Sequence, residues 1–331
     1  MRQHNATFAN FICRFGDEKV LLDYAEEIVI PAFTRDTFVR SYGKRTNYHF
    51  YDVELVGLSA DREHPILALA GRFIKDTELT RHQIFDAKRG LIQDERRMRS
   101  SPSAFFVLLL NNHRLIYLPE TPHAPDLNAF KATAEQFLRR RHNEYVDQLY
   151  AALKAEGEKV TKKSLFETHP APKLEVIALT GADDIAEFVR RYSILKRIDF
   201  RIVRPNDDID AGEILDQVRE FSRGLNAERT DLTTANINGL DIEASIEAVT
   251  AATETGNQEV KLTGVDENGN DLAGNNDEFQ ITAPVENIPP TPVGLARRLY
   301  EIYETMTQNG AIRAPGMDHA IEKIRQLVRL L

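Results

Sequence analysis

Along the first 120 residues apolar and polar positions alternate, the two-residue period of strands with one buried face. ATFANFICRF (6–15) and NYHFYDVELVGLS (47–59) carry that period, and PILALAGRFI (65–74) is more fully apolar. SAFFVLLL (103–110) and RLIYLPE (114–120) flank Asn111 and Asn112, which tolerate the positive φ of a tight turn, so a hairpin is expected there. The stretch DAKRGLIQDERRMRSSPS (86–103) is polar and basic and reads as an exposed connection.

From Asp126 the period lengthens. Leu127, Phe130, Ala134, Phe137, Leu138, Tyr145, Leu149 and Leu153 form the stripe of one long helix, interrupted at Arg139, Arg140, Arg141 and His142. Gly157 ends the run, and residues 158–172, with lysines and prolines, read as a linker. KLEVIAL (173–179) is then a strand, followed by a helix with Ile185, Phe188, Val189, Tyr192 and Leu195 on one face. LKRIDFRIVRP (195–205) returns as a strand, with Ile198, Phe200 and Ile202 on one face and Arg197 and Arg201 on the other. Helices closed by Gly224 and Gly256, an acidic hairpin over 257–285 and two amphipathic helices complete the pattern. The last helix sets Met317, Ile321, Ile324, Val328 and Leu331 on one face with no evident partner in the chain, which predicts a homodimer interface. The expected fold is α+β: a strand-rich unit with its long helix over 1–157, a linker over 158–172, and an α/β unit over 173–331.

Composition adds bounds. Of the 331 residues 42% are hydrophobic and 28% charged, as in soluble globular chains. The longest apolar run, AFFVLLL at 104–110, is too short to span a bilayer, and the N-terminus has no apolar signal core. The single Cys13 excludes a disulfide framework or a cysteine-based zinc site, so a cytoplasmic protein is expected. The formal charge of -9 hides an asymmetry. Residues 231–290 hold twelve Asp and Glu against the single Lys261, while the other 271 residues carry 41 Lys and Arg against 39 Asp and Glu. A basic surface within an acidic chain is therefore compatible with the numbers, and the acidic segment suits a guard over that surface or a docking site for another protein.

Candidate chemistry is sparse. Glu259-Val260-Lys261 on a strand, with Asp241 upstream, has the residue types of a metal-dependent nuclease of the PD-(D/E)xK kind, in which the carboxylates hold the ion and the lysine polarises water or phosphate. Against this, an acid at a helix start is favoured by the dipole alone. Asp266, Asn268, Asn270 and Asp277 mimic a calcium loop, without its glycine and its closing glutamate. His113 and His142 read as surface residues, and no phosphate-loop or serine-hydrolase string occurs. No metal or cofactor is implied. The remaining signal is arginine, in three groups: Arg96, Arg97 and Arg99; Arg139, Arg140 and Arg141; and Arg190, Lys196, Arg197, Arg201 and Arg204. Solvated surface and phosphate contact both account for such runs. The phosphate reading requires the second and third groups to share one continuous positive groove.

Two stretches, SAFFVLLLNNHRLIYLPETPHAPDLNAFKATAEQFL (103–138) and LEVIALTGADDIAEFVRRYSILKRIDFRIVRPNDD (174–208), resemble the RexA-like phage-exclusion proteins of lambdoid prophages. The order of elements over about 100–330 is also similar to that of the KwaB-like DNA-binding components of Kiwa anti-phage systems. The resemblance implies a homodimer that binds DNA with little sequence preference and acts in defence against phage. It brings no catalytic motif and no DNA-contacting residue.

Overall fold

The computed structural model describes residues 4–59, 61, 63–203, 213–225, 227, 229–253, 256–313 and 320–331. β1 (His4–Phe15) and the short β2 (Lys19–Val20) lead into helical turns at Leu21–Tyr24 and Ala25–Val29 and then α1 (Ile30–Thr34). An antiparallel succession follows: β3 (Arg40–Tyr42), β4 (Thr46–Gly57), β5 (Leu67–Asp86), β6 (Gly90–Ser100), β7 (Ser103–Leu109) and β8 (Arg114–Pro119). α2 (Leu127–Ala155) begins where Asp126 accepts the Ala129 N–H, satisfying one of the free donors of a helix start. Then come α3 (Lys162–Thr168), β9 (Pro172–Ala178), α4 (Ala182–Val189), β10 (Tyr192–Ile202) and α5 (Glu213–Gly224). β11 (Thr230–Ala235), α6 (Ile242–Thr253), β12 (Gln258–Asp266), β13 (Asp271–Asn275), β14 (Thr282–Val285), α7 (Pro292–Gln308) and α8 (Ile321–Leu327) complete the chain. The mixed α+β class is as the pattern predicts.

Among the described residues the strands form two sheets, of ten and four strands. In the larger, the order is β14-β1-β8-β7-β5-β4-β3, with β2 and β9 also on β1 and β6 also on β5. Period-two alternation divides its side chains between two cores. Phe11, Phe15, Leu69, Phe73, Phe106 and Tyr117 face α1, α2 and α8, whereas Phe8, Ala70, Phe105, Val107 and Leu118 face α7. Phe130 of α2 sits at the centre of the first, its ring 5.1–6.2 Å from those of Phe33, Phe50, Phe73, Phe106 and Tyr117. The smaller sheet, β11-β10-β12-β13, buries Ile198, Phe200, Val260 and Leu262 together with Val249 and Ala252 of α6 and Ile185, Phe188 and Val189 of α4.

This places the division of the molecule elsewhere than 158–172. β9 pairs with β1 over seven residues, from Ala9↔Ala178 to Phe15↔Pro172, and β14 pairs with the start of the same strand. α3 occupies part of the expected linker. The strands and helices from α4 to β13 form the second unit, and the chain then returns to the first. Hydrogen bonding between strands far apart in sequence decides this, and a one-dimensional pattern does not carry it.

The terminal helix also differs from expectation. Ile324 is fully buried and Leu327 nearly so, both in the core that contains Leu21, Leu22 and Tyr24. Lys323 Nζ reaches Asp23 at 2.6 Å and Arg329 reaches Glu26 at 2.5 Å. Ile324 therefore belongs to the protein's own core. Ile321 is half-buried, Val328 and Leu331 are exposed, and Met317 lies outside the described residues.

Candidate nucleic-acid interface

The stretch expected as an exposed connection is instead half of a β-ribbon. β5 runs on past the body of the sheet, turns over 86–90 and returns as β6. Asp86 shapes the turn: its Oδ1 accepts the N–H groups of Lys88 and Arg89, both at 2.9 Å, and Gly90 takes φ +74°. At the base, Arg45 O accepts the Glu78 N–H and Arg45 Nη1 donates to Thr80 Oγ1 at 2.9 Å. From Leu79 to Asp86 the ribbon spans eight residues, about 25 Å at ~3.3 Å per residue.

Strand pairing assigns the ribbon's faces. Leu79↔Met98, Arg81↔Arg96, Gln83↔Gln93 and Phe85↔Leu91 share one face, and Glu78↔Arg99, Thr80↔Arg97 and Ile84↔Ile92 the other. Arg96, Arg97 and Arg99 are widely exposed, and each is anchored on one side by a carboxylate: Asp94, Glu78 and Asp76 respectively. Arg81 also pairs with Asp94. Lys88 and Arg89 at the turn are exposed, and among the described residues neither side chain has a hydrogen bond or an ion pair. Beside them Phe85 is 75% and Leu91 69% exposed. The ribbon tip is thus two apolar side chains flanked by two unpaired cations.

The third arginine group lies in a different environment. A cleft of about 510 Å³ opens at the seam between the two sheets, with Asn128 of α2 and residues 176–178 of β9 among its lining. The face of the smaller sheet opposite its core lines the rest. Its rows read Asp231–Arg201–Glu259 and Thr233–Asp199–Lys261–Asn275 across β11, β10, β12 and β13. Arg201 donates to Glu259 at 2.7 Å and to Glu175 of β9 at 2.8 Å, and Lys131 of α2 pairs with the same Glu175. Arg197 donates to both oxygens of Asp199 at 2.8 Å, and that hydrogen bond holds the Asp199 carboxyl below the usual range. Arg229 pairs with Asp231 at 2.6 Å. Asp277, on the rim, loses part of its hydration to the cleft wall and lies near Asp126, Glu278 and Glu259. Those effects, in that order, push its carboxyl up. The cleft lining matches Arg197, Arg201, Arg229 and Lys261 with Asp199, Asp231, Glu259 and Asp277. Arg197 and Arg201 do point away from the core, but into a balanced lattice of charge, so the expected positive groove is not formed there.

The helix group is divided. Arg139 pairs with Glu135 at 2.6 Å, and Arg140 lies 4.2 Å above the Phe38 ring and 3.5 Å from Glu144. Arg141 turns inward toward Gln148, and burial, then the neighbouring Arg35, lowers its pKa. His142 is fully buried, its Nε2 2.8 Å from His169 O, and His113 is buried with φ +58°; neither is a surface residue. The helix continues to pack where its stripe looked broken. Arg139 is eight residues beyond Lys131, about 12 Å along the axis, so it does not extend the row around Arg201. Arg190 is held by Glu243 at 3.1 Å, Lys196 is half-buried at an irregularity in β10, and Arg204 lies outside the described residues.

The nuclease constellation does not assemble. Asp241 caps α6 by accepting the Ala244 N–H at 2.8 Å, and Leu240 beside it donates to Leu195 O. Glu259 lies opposite Arg201, six residues farther along β10, about 20 Å away. Only Glu259 and Lys261 share the cleft. Asp266 accepts the N–H groups of Asn268 and Asn270 in a hairpin turn, and Asp277 is beyond the following strand, so the calcium-like spacing is turn chemistry. Among the described residues no three His, Cys, Asp or Glu are grouped to hold a metal ion.

A family model described as domain of unknown function (DUF4747) matches residues 66–282, more than half of the chain. The protein belongs to the DUF4747 family. The DUF4747 match begins at β5 and ends at β14, so it takes in the ribbon, α2 and both walls of the cleft. No curated protein matches the sequence.

The residues missed by sequence reasoning are those of the ribbon turn. Asp86 and Gly90 bracket a three-residue turn, Ala87, Lys88 and Arg89, with the glycine at positive φ where the return strand begins. That was the available signal.

Proposed function

We propose that this protein acts by binding duplex DNA, with little base preference, through the β5–β6 ribbon, and that it serves in phage exclusion or anti-phage defence. The observation that carries the reading is the ribbon tip, where Lys88 and Arg89 stand exposed without a carboxylate partner. A two-stranded ribbon is of the size that enters a DNA groove, and phosphate contacts by lysine and arginine provide affinity without sequence information. Arg96 on one face and Arg97 and Arg99 on the other, each anchored by a carboxylate, add exposed guanidinium groups toward the body. The resemblance of 103–138 and 174–208 to RexA-like and KwaB-like proteins supplies the biological setting. It also favours a homodimer, whose contact surface then lies outside the buried part of α8.

Binding to duplex DNA, single strands and RNA across a salt series tests the proposal. Each phosphate contact contributes a slope of about -0.9 to log K against log salt. The double variant Lys88→Glu/Arg89→Glu should bind duplex at least ~10-fold more weakly and flatten that slope by about 2. Its melting temperature should be unchanged, because neither residue touches a core. No binding of duplex at low salt, or a double variant indistinguishable from the parent, would remove the proposal.

A further inference from the structure

The ribbon ends in hydrophobic surface that the fold does not use. Phe85 and Leu91 face each other in register on one side of the tip, and Ile84 and Ile92 on the other. Phe85, Leu91 and Ile84 are exposed, and none of the four belongs to a core. An isolated two-stranded ribbon is marginally stable in water, so cross-strand apolar pairs help to hold it together. That accounts for one apolar pair. It does not account for a phenylalanine left three-quarters in solvent next to Lys88 and Arg89.

Resting on the DNA-binding reading, we propose that Phe85 and Leu91 form a wedge that enters between two base pairs, and that the preferred ligand is deformable or interrupted duplex DNA. Three arguments converge on this. The first is complementarity: an apolar tip set against groove edges would cover hydrogen-bonding groups without replacing their partners, whereas the faces of unstacked bases are apolar. The second is placement. Lys88 and Arg89 lie in the turn immediately beyond Asp86, the residue after Phe85, so when the wedge is seated they stand beside the flanking phosphates. The third is size. A two-stranded ribbon fits the major groove undistorted, whereas a minor groove about 6 Å wide admits strands ~4.8 Å apart only if it is opened, and apolar wedges are a known means by which proteins open that groove and kink the duplex. A second copy of the chain is a poorer occupant, since a stable protein interface needs roughly 800 Å² from each partner, and four side chains at a ribbon tip provide a small part of that.

Because entry requires unstacking, steps that unstack readily are favoured: nicks, gaps, mismatches and flexible pyrimidine–purine steps. The ligand is therefore selected by deformability rather than by base identity.

The test uses the full chain and its Phe85→Ala/Leu91→Ala variant, which removes only exposed side chains. The probes are intact, nicked and single-nucleotide-gapped duplexes of one sequence, with 2-aminopurine at the interrupted step. The parent should bind the interrupted duplexes about 10-fold tighter than the intact one and raise the 2-aminopurine fluorescence. The variant should bind all three alike, at the parent's affinity for intact duplex, without the fluorescence rise. Equal binding of the three by the parent, or a preference and signal that persist in the variant, overturns the wedge while leaving phosphate binding by Lys88 and Arg89 in place. Conversion of a dimer to a monomer by the variant, measured by sedimentation, would assign the tip to a second copy instead. Failure of the DNA-binding reading looks different: neither protein then binds any duplex.

Discussion

The ribbon and the seam cleft are both built from antiparallel strands whose arginines pair with carboxylates, and they differ at the ribbon turn, where two cations have no such partner among the described residues. In the cleft, β10 lies between β11 and β12, and each arginine finds a carboxylate on its own strand or a neighbouring element: Arg197 with Asp199, Arg201 with Glu259 and Glu175. On the ribbon each strand has a single neighbour along its outer part, and the acid of the turn, Asp86, accepts the backbone N–H groups of Lys88 and Arg89 and makes no ion pair with their side chains. A count of basic residues ranks the 190–204 stretch above the 86–99 stretch. That count does not show which cations stand at a projecting turn. What separates the two here is the turn, which has no strand alongside to bring opposite charges into register.

The comparison is sharpened most by Arg201→Ala. Arg201 connects β10 of the smaller sheet to β9 of the larger through Glu175, close to the apolar contact of Ile12, Ile177 and Val203 across the same seam. Its removal leaves the half-buried Glu259 without its donor and Glu175 with Lys131 alone, and should cost about 1–3 kcal/mol of stability. Duplex affinity should be unchanged, since the account places no phosphate in the cleft. Thermal or denaturant unfolding in parallel with DNA binding checks both halves. Loss of affinity without loss of stability would move the DNA surface to the cleft.

Asp277→Asn is a smaller, opposite change. The folded protein raises this carboxyl above its unfolded value near 3.9, so its stabilising contribution is complete below about that pH and is lost as pH rises through the folded value. At pH 7 the charged group opposes folding. The asparagine variant should therefore melt higher than the parent at pH 7, by less than Arg201→Ala lowers it, and equally at pH 3.5. A melting temperature at pH 7 equal to or below that of the parent would show that Asp277 carries no such strain.

Much of the architecture was legible from period alone: β1, β4, the 103–120 hairpin and α2 with its Asp126 cap all follow local pattern. β6 was not, because Leu91, Ile92 and Met98 are set among charges on a strand exposed on both faces, and alternation marks a strand only when one face is buried. The place of β9 was not legible because its partner β1 is more than 150 residues away. Arg141 and His142 were recognised as a conflict with the helix stripe, and the conflict is resolved by burial. The site residues that matter most, Phe85, Lys88, Arg89 and Leu91, depend on a turn whose consequence is position in space, which composition does not encode.

Site-specific cross-linking tests the central claim most directly. A photo-reactive side chain is installed at Ala87, in the exposed ribbon turn, or at Thr233, on the charged wall of the cleft. Each protein is irradiated with the same labelled duplex at low salt. The account predicts cross-linking from Ala87 that fades as salt is raised, and none from Thr233. Cross-linking from Thr233 with none from Ala87 would contradict it.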